Sequence, residues 1–151
     1  MIKIGREPFD ALFREAWPLL LRNHEETSSR KEHPLAPNTG TYRLMEEAGL
    51  LRTYAARDQA GKLVGYAAMF IAPSIHHESL LQAAHDVVYV APEYRGKCVG
   101  LRLIKYLEAD MLAEGVDEIS HSVKKDHPDF GVMLSKLGYE VDETVFRKRI
   151  R

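Results

Sequence analysis

The sequence of 151 residues contains one cysteine, no long apolar run and no excess of charge of either sign. Because Cys98 has no partner within the chain, the sequence indicates a reducing compartment, the cytoplasm. The longest fully apolar runs fall far short of the about 20 residues that span a bilayer. The first residues lack the apolar core of a signal peptide. With 21 Lys and Arg against 22 Asp and Glu, no overall basic field favours nucleic acid.

What the sequence does contain is typical of a globular protein: 45% hydrophobic and 28% charged residues. Its length fits one domain over residues 1–151. Histidines show no ligand spacing with Cys or with carboxylate clusters, so no metal site is expected. Two short basic runs, HSVKKDH and FRKRIR, are interpreted as solvated faces rather than as a nucleic-acid surface.

Hydrophobic periodicity predicts the order β-α-α-β-β-β-α-β-α-β-β, an α/β (α+β) fold with a mixed sheet and helices on both faces. Pro18 is expected to kink or break the first helix, and Gly49 and Gly138 to end the second and last helices. The predicted segments are, in order, strand IKI, helix EPFDALFREAWPLLLRNHEE, helix TYRLMEEAGLL, hairpin LLRTYAAR–KLVGYAAMFIAPS, strand SLLQAAHDVVYV, a helix from Val99, strand DEISHSVKK, helix DHPDFGVMLSKLG and two closing strands in YEVDETVFRKRI.

One segment, VVYVAPEYRGKCVGLRLIKYLE, combines three features that suit a phosphate. A strand ends at Val90, a glycine-containing loop follows, and a helix begins near Val99. A helix N-terminus offers unpaired N–H groups and partial positive charge, and therefore binds anions. Gly96 and Gly100 permit positive φ and a close approach of the backbone to a ligand.

Three cations, Arg95, Lys97 and Arg102, add local positive charge to this loop of a nearly neutral chain. The loop lacks the spacing of the Walker A motif and of the G-x-G-x-x-G dinucleotide fingerprint. A pyrophosphate seat and a plain solvated turn both remain consistent with the residues themselves.

The same segment resembles motif A of the GNAT superfamily of N-acetyltransferases, which reads [RQ]-x-x-G-x-[GA] after a strand ending in V-x-P-x-x-R-G. The loop here is Arg95–Gly100, preceded by Val90 and Pro92. Cys98 stands where the family usually has glycine. The predicted element order is similar to the GNAT fold, a mixed sheet with splayed parallel strands, over nearly the whole chain. The stretch YRLMEEAGLLRTYAARDQAGKLVGYAAMF looks closest to small GNAT proteins of phage and prophage type.

The resemblance implies that acetyl-CoA is the co-substrate and that an amine is the acceptor. Acetyl-CoA would lie where the strands Asp86–Val90 and Glu118–Val123 splay apart, with the pantetheine arm held like an added strand. Phe130 and Met133 are candidates for the wall around its thiol end, with core packing as the alternative. The cofactor-binding residues implied in this way are Val88, Tyr89, Val90, Arg95, Gly96, Lys97, Cys98, Val99, Gly100, Phe130 and Met133.

For catalysis the resemblance implies a carboxylate or imidazole that takes the amine proton, usually through water. Strict alternation places Ala84, Asp86, Val88 and Val90 on one face of the strand, and His85, Val87 and Tyr89 on the other. Asp86 is the candidate base, since an Asp in an apolar strand needs a partner or a use. His76, in a loop, is the candidate for binding substrate or relaying a proton.

The family often has a Tyr on the last helix that protonates the leaving thiolate, and Leu134 stands at that position. The lack of a Tyr at this position and the presence of Cys98 leave a rival function open, namely a catalytically weak acyl-CoA-binding or protein-interaction module. A third possibility, a nucleotide-binding protein that uses the same loop, predicts tight binding of ATP or NAD. Terminal strands of this fold often pair in homodimers, which the resemblance also implies here.

Overall fold

The computed structural model describes residues 1–151 and contains five strands and four α-helices. The strands form one sheet in the order β1-β2-β3-β4-β5, antiparallel except for the parallel pair β4–β5. The predicted mixed α/β architecture is confirmed. The elements are β1 (Lys3–Arg6), α1 (Phe9–Thr27), α2 (Thr39–Glu47), β2 (Leu51–Arg57), β3 (Leu63–Pro73), β4 (Leu81–Val90), a short 3-10 helix (Pro92–Tyr94), α3 (Val99–Ala113), β5 (Glu118–Ser120) and α4 (Asp129–Lys136).

Helices cover both faces of the sheet. On one face α3 buries Leu103, Leu107 and Met111 against Tyr54 and Met69 of the central strands. Each fully buried side chain of this kind contributes roughly 1.5–3 kcal/mol relative to an exposed one. None of the four helices combines the length and the apolar composition that crossing a bilayer requires.

The opposite face of the sheet is covered by α1. Leu12, Ala16 and Leu19 recur at helical spacing and pack against Tyr66 and Tyr89 of β3 and β4. The helix continues past Pro18 as far as Thr27, so of the two expected outcomes, a kink or a break, the break does not occur. Pro18 is on the exposed side of α1, where water can bond the carbonyl group that a proline leaves without a partner.

Glycines end two helices as expected. Gly49 follows α2 with φ 75°, and Gly138 follows α4 with φ 93°, the left-handed conformation in which glycine has no Cβ penalty. The hairpin of β2 and β3 also forms as predicted, with Gly61 at φ 84° in its turn.

The end of the chain differs from the prediction. Residues 139–151 contain no strand, although two closing strands were expected there. β5 ends at Ser120 rather than at Val123, so the edge of the sheet offers only three residues for a further strand to pair with. As a result Val141, Phe146 and Ile150 are largely exposed.

Candidate functional site

The loop between β4 and α3 has two residues in the left-handed backbone region, Gly96 with φ 75° and Cys98 with φ 59°. This region costs an L-residue with a Cβ roughly 1–2 kcal/mol, which explains physically why glycine suits the position of Cys98. No side chain caps the start of α3, so its first N–H groups remain available. The backbone therefore has the form that binding an anion requires.

Gly100 lies within the helix rather than in the loop before it. It lies in the first turn of α3 and is not among the glycines with positive φ. A Cβ at Gly100 would lie 3.9 Å from Met133 Sδ and 3.9 Å from Val90 Cγ2. Gly100 therefore keeps space open between α3, α4 and the end of β4, and it does not use the positive φ that glycine permits.

The Arg95 side chain is bonded within the protein. Its two terminal nitrogens donate to the Glu26 carboxylate of α1 at 2.5 and 2.8 Å, and Nε donates to the Val90 carbonyl at 2.9 Å. The guanidinium also lies 5.3 Å from the centre of the Tyr89 ring. The hydrogen bonds from Arg95 hold the pKa of Glu26 below its usual value. Glu26 thus neutralises the arginine of the loop.

The remaining cations of the loop border a cavity of about 520 Å³, which is lined by Tyr94, Lys97, Val99 and Arg102 among others. A second cavity, of about 560 Å³, lies between α3 and α4 and includes Met133 in its wall. Both cavities adjoin the start of α3, one on each side. The neighbourhood of this helix end is therefore open rather than filled.

The parallel strands β4 and β5 pair over three residues only, from Gln82 opposite Glu118 to Ala84 opposite Ser120. β4 continues to Val90, so residues 85–90 have a partner strand, β3, on one side only. The splayed parallel pair is confirmed. The free side of this stretch has backbone groups that an extended ligand can bond.

A β-bulge at Asp86 changes which residues share a face of β4. Val87 pairs with Ala68, and His85 pairs with Met69, so Asp86 has no residue opposite it. Such a bulge shifts the alternation of side chains by one. The expected strict alternation along this strand is therefore wrong.

Contacts confirm the shift. Val88 packs in the core on the α3 side, and Val87 and Tyr89 pack on the α1 side. Asp86 joins this second group, since its Oδ2 accepts a hydrogen bond from the Tyr42 hydroxyl of α2. Asp86 and Val88 consequently lie on opposite faces of the sheet.

Tyr42 gives Asp86 the partner that a carboxylate in a strand needs. The Tyr42 ring is stacked on Phe9 and Phe70, with ring centres 4.9 and 6.2 Å away, which fixes its hydroxyl. Burial, and next the bond to Asp86, raise the pKa of Tyr42, so the phenol remains a donor at neutral pH. The bond uses one carboxylate oxygen and leaves Oδ1 of Asp86 for a ligand. Periodicity alone gave no signal for Tyr42, because the contact joins elements far apart in the chain.

Two histidines meet at the point where β4 and β5 separate. His85 follows the last paired residue of β4, His121 follows that of β5, and their Nδ1 atoms are 2.7 Å apart. The rings of Phe130 and Tyr139 pack against His121, and Phe130 also packs against His85. Sequence reasoning missed this pair, because the register that brings the two residues side by side is not visible in either segment.

Both imidazoles of this pair are neutral at pH 7. Burial lowers the pKa of His85 to about 4, and burial followed by the charge of His85 lowers the pKa of His121 to about 3. One ring must donate the single N–H between the two Nδ1 atoms and the other must accept it. His121 Nε2 is buried without a hydrogen-bond partner. The pair is therefore an uncharged, hydrogen-bonded contact between the two chain segments at the point where β4 and β5 separate.

The other predicted site residues divide into two groups. Phe130 and Met133 lie beside the splay and pack partly against the core, so the structure brings them near Gly100 and the histidine pair. His76 lies in the turn between β3 and β4, exposed. Asp86 is five residues beyond the start of β4, about 17 Å along the strand. The structure does not bring His76 and Asp86 together.

Residues 9–139 match the profile of the acetyltransferase (GNAT) family. Among curated protein sequences no significant match to the chain was found.

Solved structures resemble the chain over nearly its whole length. The ribosomal-protein-alanine N-acetyltransferase of Brucella melitensis biovar Abortus 2308 has a TM-score of 0.75, 18% identity and coverage of 100% of both chains. The aminoglycoside acetyltransferase meta-AAC0020 from an uncultured soil metagenomic sample has a TM-score of 0.75 and 16% identity, and the match covers 99% of this chain and 97% of the other. For glucosamine-6-phosphate N-acetyltransferase from Arabidopsis thaliana these values are 0.73 and 15%, with coverage of 100% and 99%. At such identities the likeness shows the fold alone.

Proposed function

Because the chain belongs to the acetyltransferase (GNAT) family, we propose that it transfers an acetyl group from acetyl-CoA to a primary amine. The observation that carries this proposal is a run of available backbone groups along the free edge of β4 and in the first turn of α3, interrupted at Val90, whose carbonyl accepts from Arg95 Nε. It begins where β4 leaves β5, after Ala84, and leads past Val90 to the uncapped first turn of α3. An extended arm ending in a pyrophosphate matches such a run in both shape and charge.

The residues present fit acetyl-CoA. The free edge of β4 at Val88, Tyr89 and Val90 would bond the pantetheine arm. The loop from Arg95 to Gly100 would bond the phosphates through its N–H groups, with Lys97 adding charge. Space kept open by Gly100, next to Met133, would let the arm pass between α3 and α4. Phe130, at the base of the splay, would contact the thiol end.

In the transfer step the amine nitrogen forms a bond to the thioester carbon, the C–S bond breaks, and the sulfur keeps the electron pair. The proton that the amine loses goes to Asp86 Oδ1, directly or through water. Tyr42 holds the carboxylate in place through the other oxygen. Leu134 packs in the core, 5% exposed, and an aliphatic side chain has no acidic proton, so the sulfur leaves without an acid from this position.

A rival function, acyl-CoA binding with little turnover, is favoured by two observations. Cys98 has a backbone conformation that costs free energy for any residue with a Cβ, and Arg95 is bonded to Glu26 rather than free. The open edge of β4 and the paired, accessible Asp86 favour the enzyme. Measured turnover decides between the two.

Calorimetric titration of acetyl-CoA into the wild type and two glycine variants tests the proposal. Gly100→Glu places a carboxylate in the space next to Met133 and should abolish saturable binding. Gly40→Glu is the matched control, because Gly40 is likewise the second residue of its helix, α2, and meets only Asn38 Oδ1 at 3.6 Å. Equal binding by both variants, or no binding by the wild type, would refute the proposal.

Four further expectations belong to this proposal and stay predictions: one domain over residues 1–151, location in the cytoplasm, a homodimer, and likeness to phage-type proteins. The expected likeness to phage-type proteins is based on the stretch from Tyr42 to Phe70. Size-exclusion chromatography with light scattering tests the homodimer directly.

A further inference from the structure

Five aromatic rings form a continuous row on the α1 side of the sheet. Neighbouring ring centres are 6.2, 4.9, 5.3 and 5.9 Å apart. The members of this aromatic row are, in order, Phe70, Tyr42, Phe9, Phe13 and Trp17. Only Phe9 is fully buried, and Trp17 is 38% exposed. The fold therefore leaves part of the row uncovered.

One end of the aromatic row carries a single available negative charge. The Tyr42 hydroxyl donates to Asp86, which is exposed. Two other carboxylates close to the row already have hydrogen-bond partners. Asp10 accepts from Arg43 at 2.8 Å, and Glu46 accepts the Phe9 N–H at 2.8 Å at the positive end of α1.

A buried hydroxyl without a partner lies on the same face. Tyr66 of β3 is 3% exposed, its OH makes no hydrogen bond, and its ring is 6.0 Å from that of Tyr89. Burial raises the pKa of Tyr66, and the neighbouring Asn23 side chain of α1 acts in the opposite direction. A buried polar group that lacks a partner often marks the place of a ligand or water.

We propose that the acceptor is a monoamine with an apolar, preferably aromatic, body. This inference rests on the proposed function and names its substrate class. The ammonium group would bind Asp86 beside the Tyr42 hydroxyl, and the body would pack along Phe13 and Trp17. Tyr66 would offer its hydroxyl to a polar substituent of the body.

Charge and surface both select this class. A polycation gains affinity from several free carboxylates, whereas near this row Asp10 is paired with Arg43 and Glu26 with Arg95. An apolar body gains affinity by covering the exposed part of the aromatic row, and rings prefer the stacked or edge contacts that this row already shows. An amine without an apolar body would leave that surface uncovered.

The first measurement is binding of 2-phenylethylamine without acetyl-CoA, followed by the fluorescence of Trp17, the one tryptophan of the chain. Saturable quenching is expected in the wild type. In Phe13→Ala the dissociation constant for 2-phenylethylamine should be at least tenfold larger. The control is Tyr106→Ala, which removes an aromatic ring, 39% exposed, from α3 on the other face of the sheet. This variant should bind like the wild type. Equal binding by Phe13→Ala and Tyr106→Ala would overturn the proposal.

The second measurement is acetylation, detected by mass spectrometry, of 2-phenylethylamine, spermidine, glucosamine 6-phosphate and a peptide with N-terminal alanine. We expect 2-phenylethylamine to have a kcat/KM at least tenfold above the others, and a faster rate for any of them would overturn the proposal. Phe13→Ala should raise KM while calorimetry finds acetyl-CoA binding unchanged.

Two outcomes separate this inference from the proposed function. Amine binding that depends on Phe13, without acetylation of any amine, would support the amine site and refute the enzyme. Acetylation of another amine with no binding of 2-phenylethylamine would refute the amine class alone. If Phe13→Ala fails to fold, Trp17→Ser at the exposed end of the row replaces it, with binding measured by calorimetry and the same tenfold loss expected.

Discussion

Mild acid should destabilise the protein through its two buried imidazoles. The pKa values of His85 and His121 are about 4 and about 3 in the folded chain, against an ordinary value of 6.5 that both regain on unfolding. The unfolded state therefore binds more protons below pH 6.5, so stability that is present at pH 7 is lost as the pH falls from 6.5 towards 4. At pH 5 each imidazole lowers the free energy of unfolding by about 2 kcal/mol, and the pair by about 4 kcal/mol.

The assay is urea unfolding at several pH values between 7 and 5, followed by circular dichroism. Near pH 5 the free energy of unfolding should fall by about 2.7 kcal/mol for each pH unit of acidification, which corresponds to two protons taken up on unfolding. Paired carboxylates such as Glu93 and Glu114, whose pKa values are about 2 in the folded chain, lower the stability mainly as the pH falls below about 5, so the histidines dominate the window from pH 7 to pH 5.

Two variants make the argument refutable. His121→Asn removes one buried imidazole and should halve the slope. His77→Asn, in the exposed turn after β3, should leave the slope unchanged. A wild-type stability that is flat between pH 7 and pH 5, or a His121→Asn variant with the full slope, would show that the pair is not neutral in the folded protein.

Three other predictions concern the candidate site. Cys98→Gly should raise the free energy of unfolding by about 1 kcal/mol, because the left-handed cost exceeds the entropy that glycine loses; Cys98→Ala, which keeps the Cβ, should give no gain in the same urea titration. Asp86→Asn should lower kcat about 10²–10⁴-fold with acetyl-CoA affinity unchanged. Tyr42→Phe, which keeps the ring, should lower kcat by a smaller factor. Equal activity of Asp86→Asn and wild type would exclude Asp86 as the base. Glu26→Gln should release Arg95 towards the phosphates and tighten acetyl-CoA binding severalfold in calorimetry, and weaker binding would contradict that role for Arg95.

Local patterns predicted the elements that depend on neighbouring residues. The strand that ends at Val90, the helix that begins at Val99 and the left-handed Gly96 all follow from short-range rules for strands, helix starts and turns. The same rules correctly placed the glycines that end α2 and α4. These features need no knowledge of the rest of the chain.

Features that depend on register or on partners could not be predicted in this way. A period of two along β4 gives no sign of the bulge that turns Asp86 towards Tyr42 and away from the face of Val88. The pairing of His85 with His121 depends on where β5 stops. The prediction of two closing strands is wrong for the same reason. Apolar residues such as Phe146 form a strand only where the edge of a sheet is available for pairing.

The ion pair between Arg95 and Glu26 connects the phosphate loop with α1. Arg95 belongs to the phosphate loop and Glu26 to α1, the helix that carries Phe13 and Trp17. If a ligand that draws Arg95 away from Glu26 changes the affinity of α1 for its own ligand by some factor, the second ligand must change the affinity of the first by the same factor. The ratio of acetyl-CoA dissociation constants with and without a saturating amine measures the coupling free energy between the two ligands, and the change in that ratio in Glu26→Gln measures the part that depends on this ion pair.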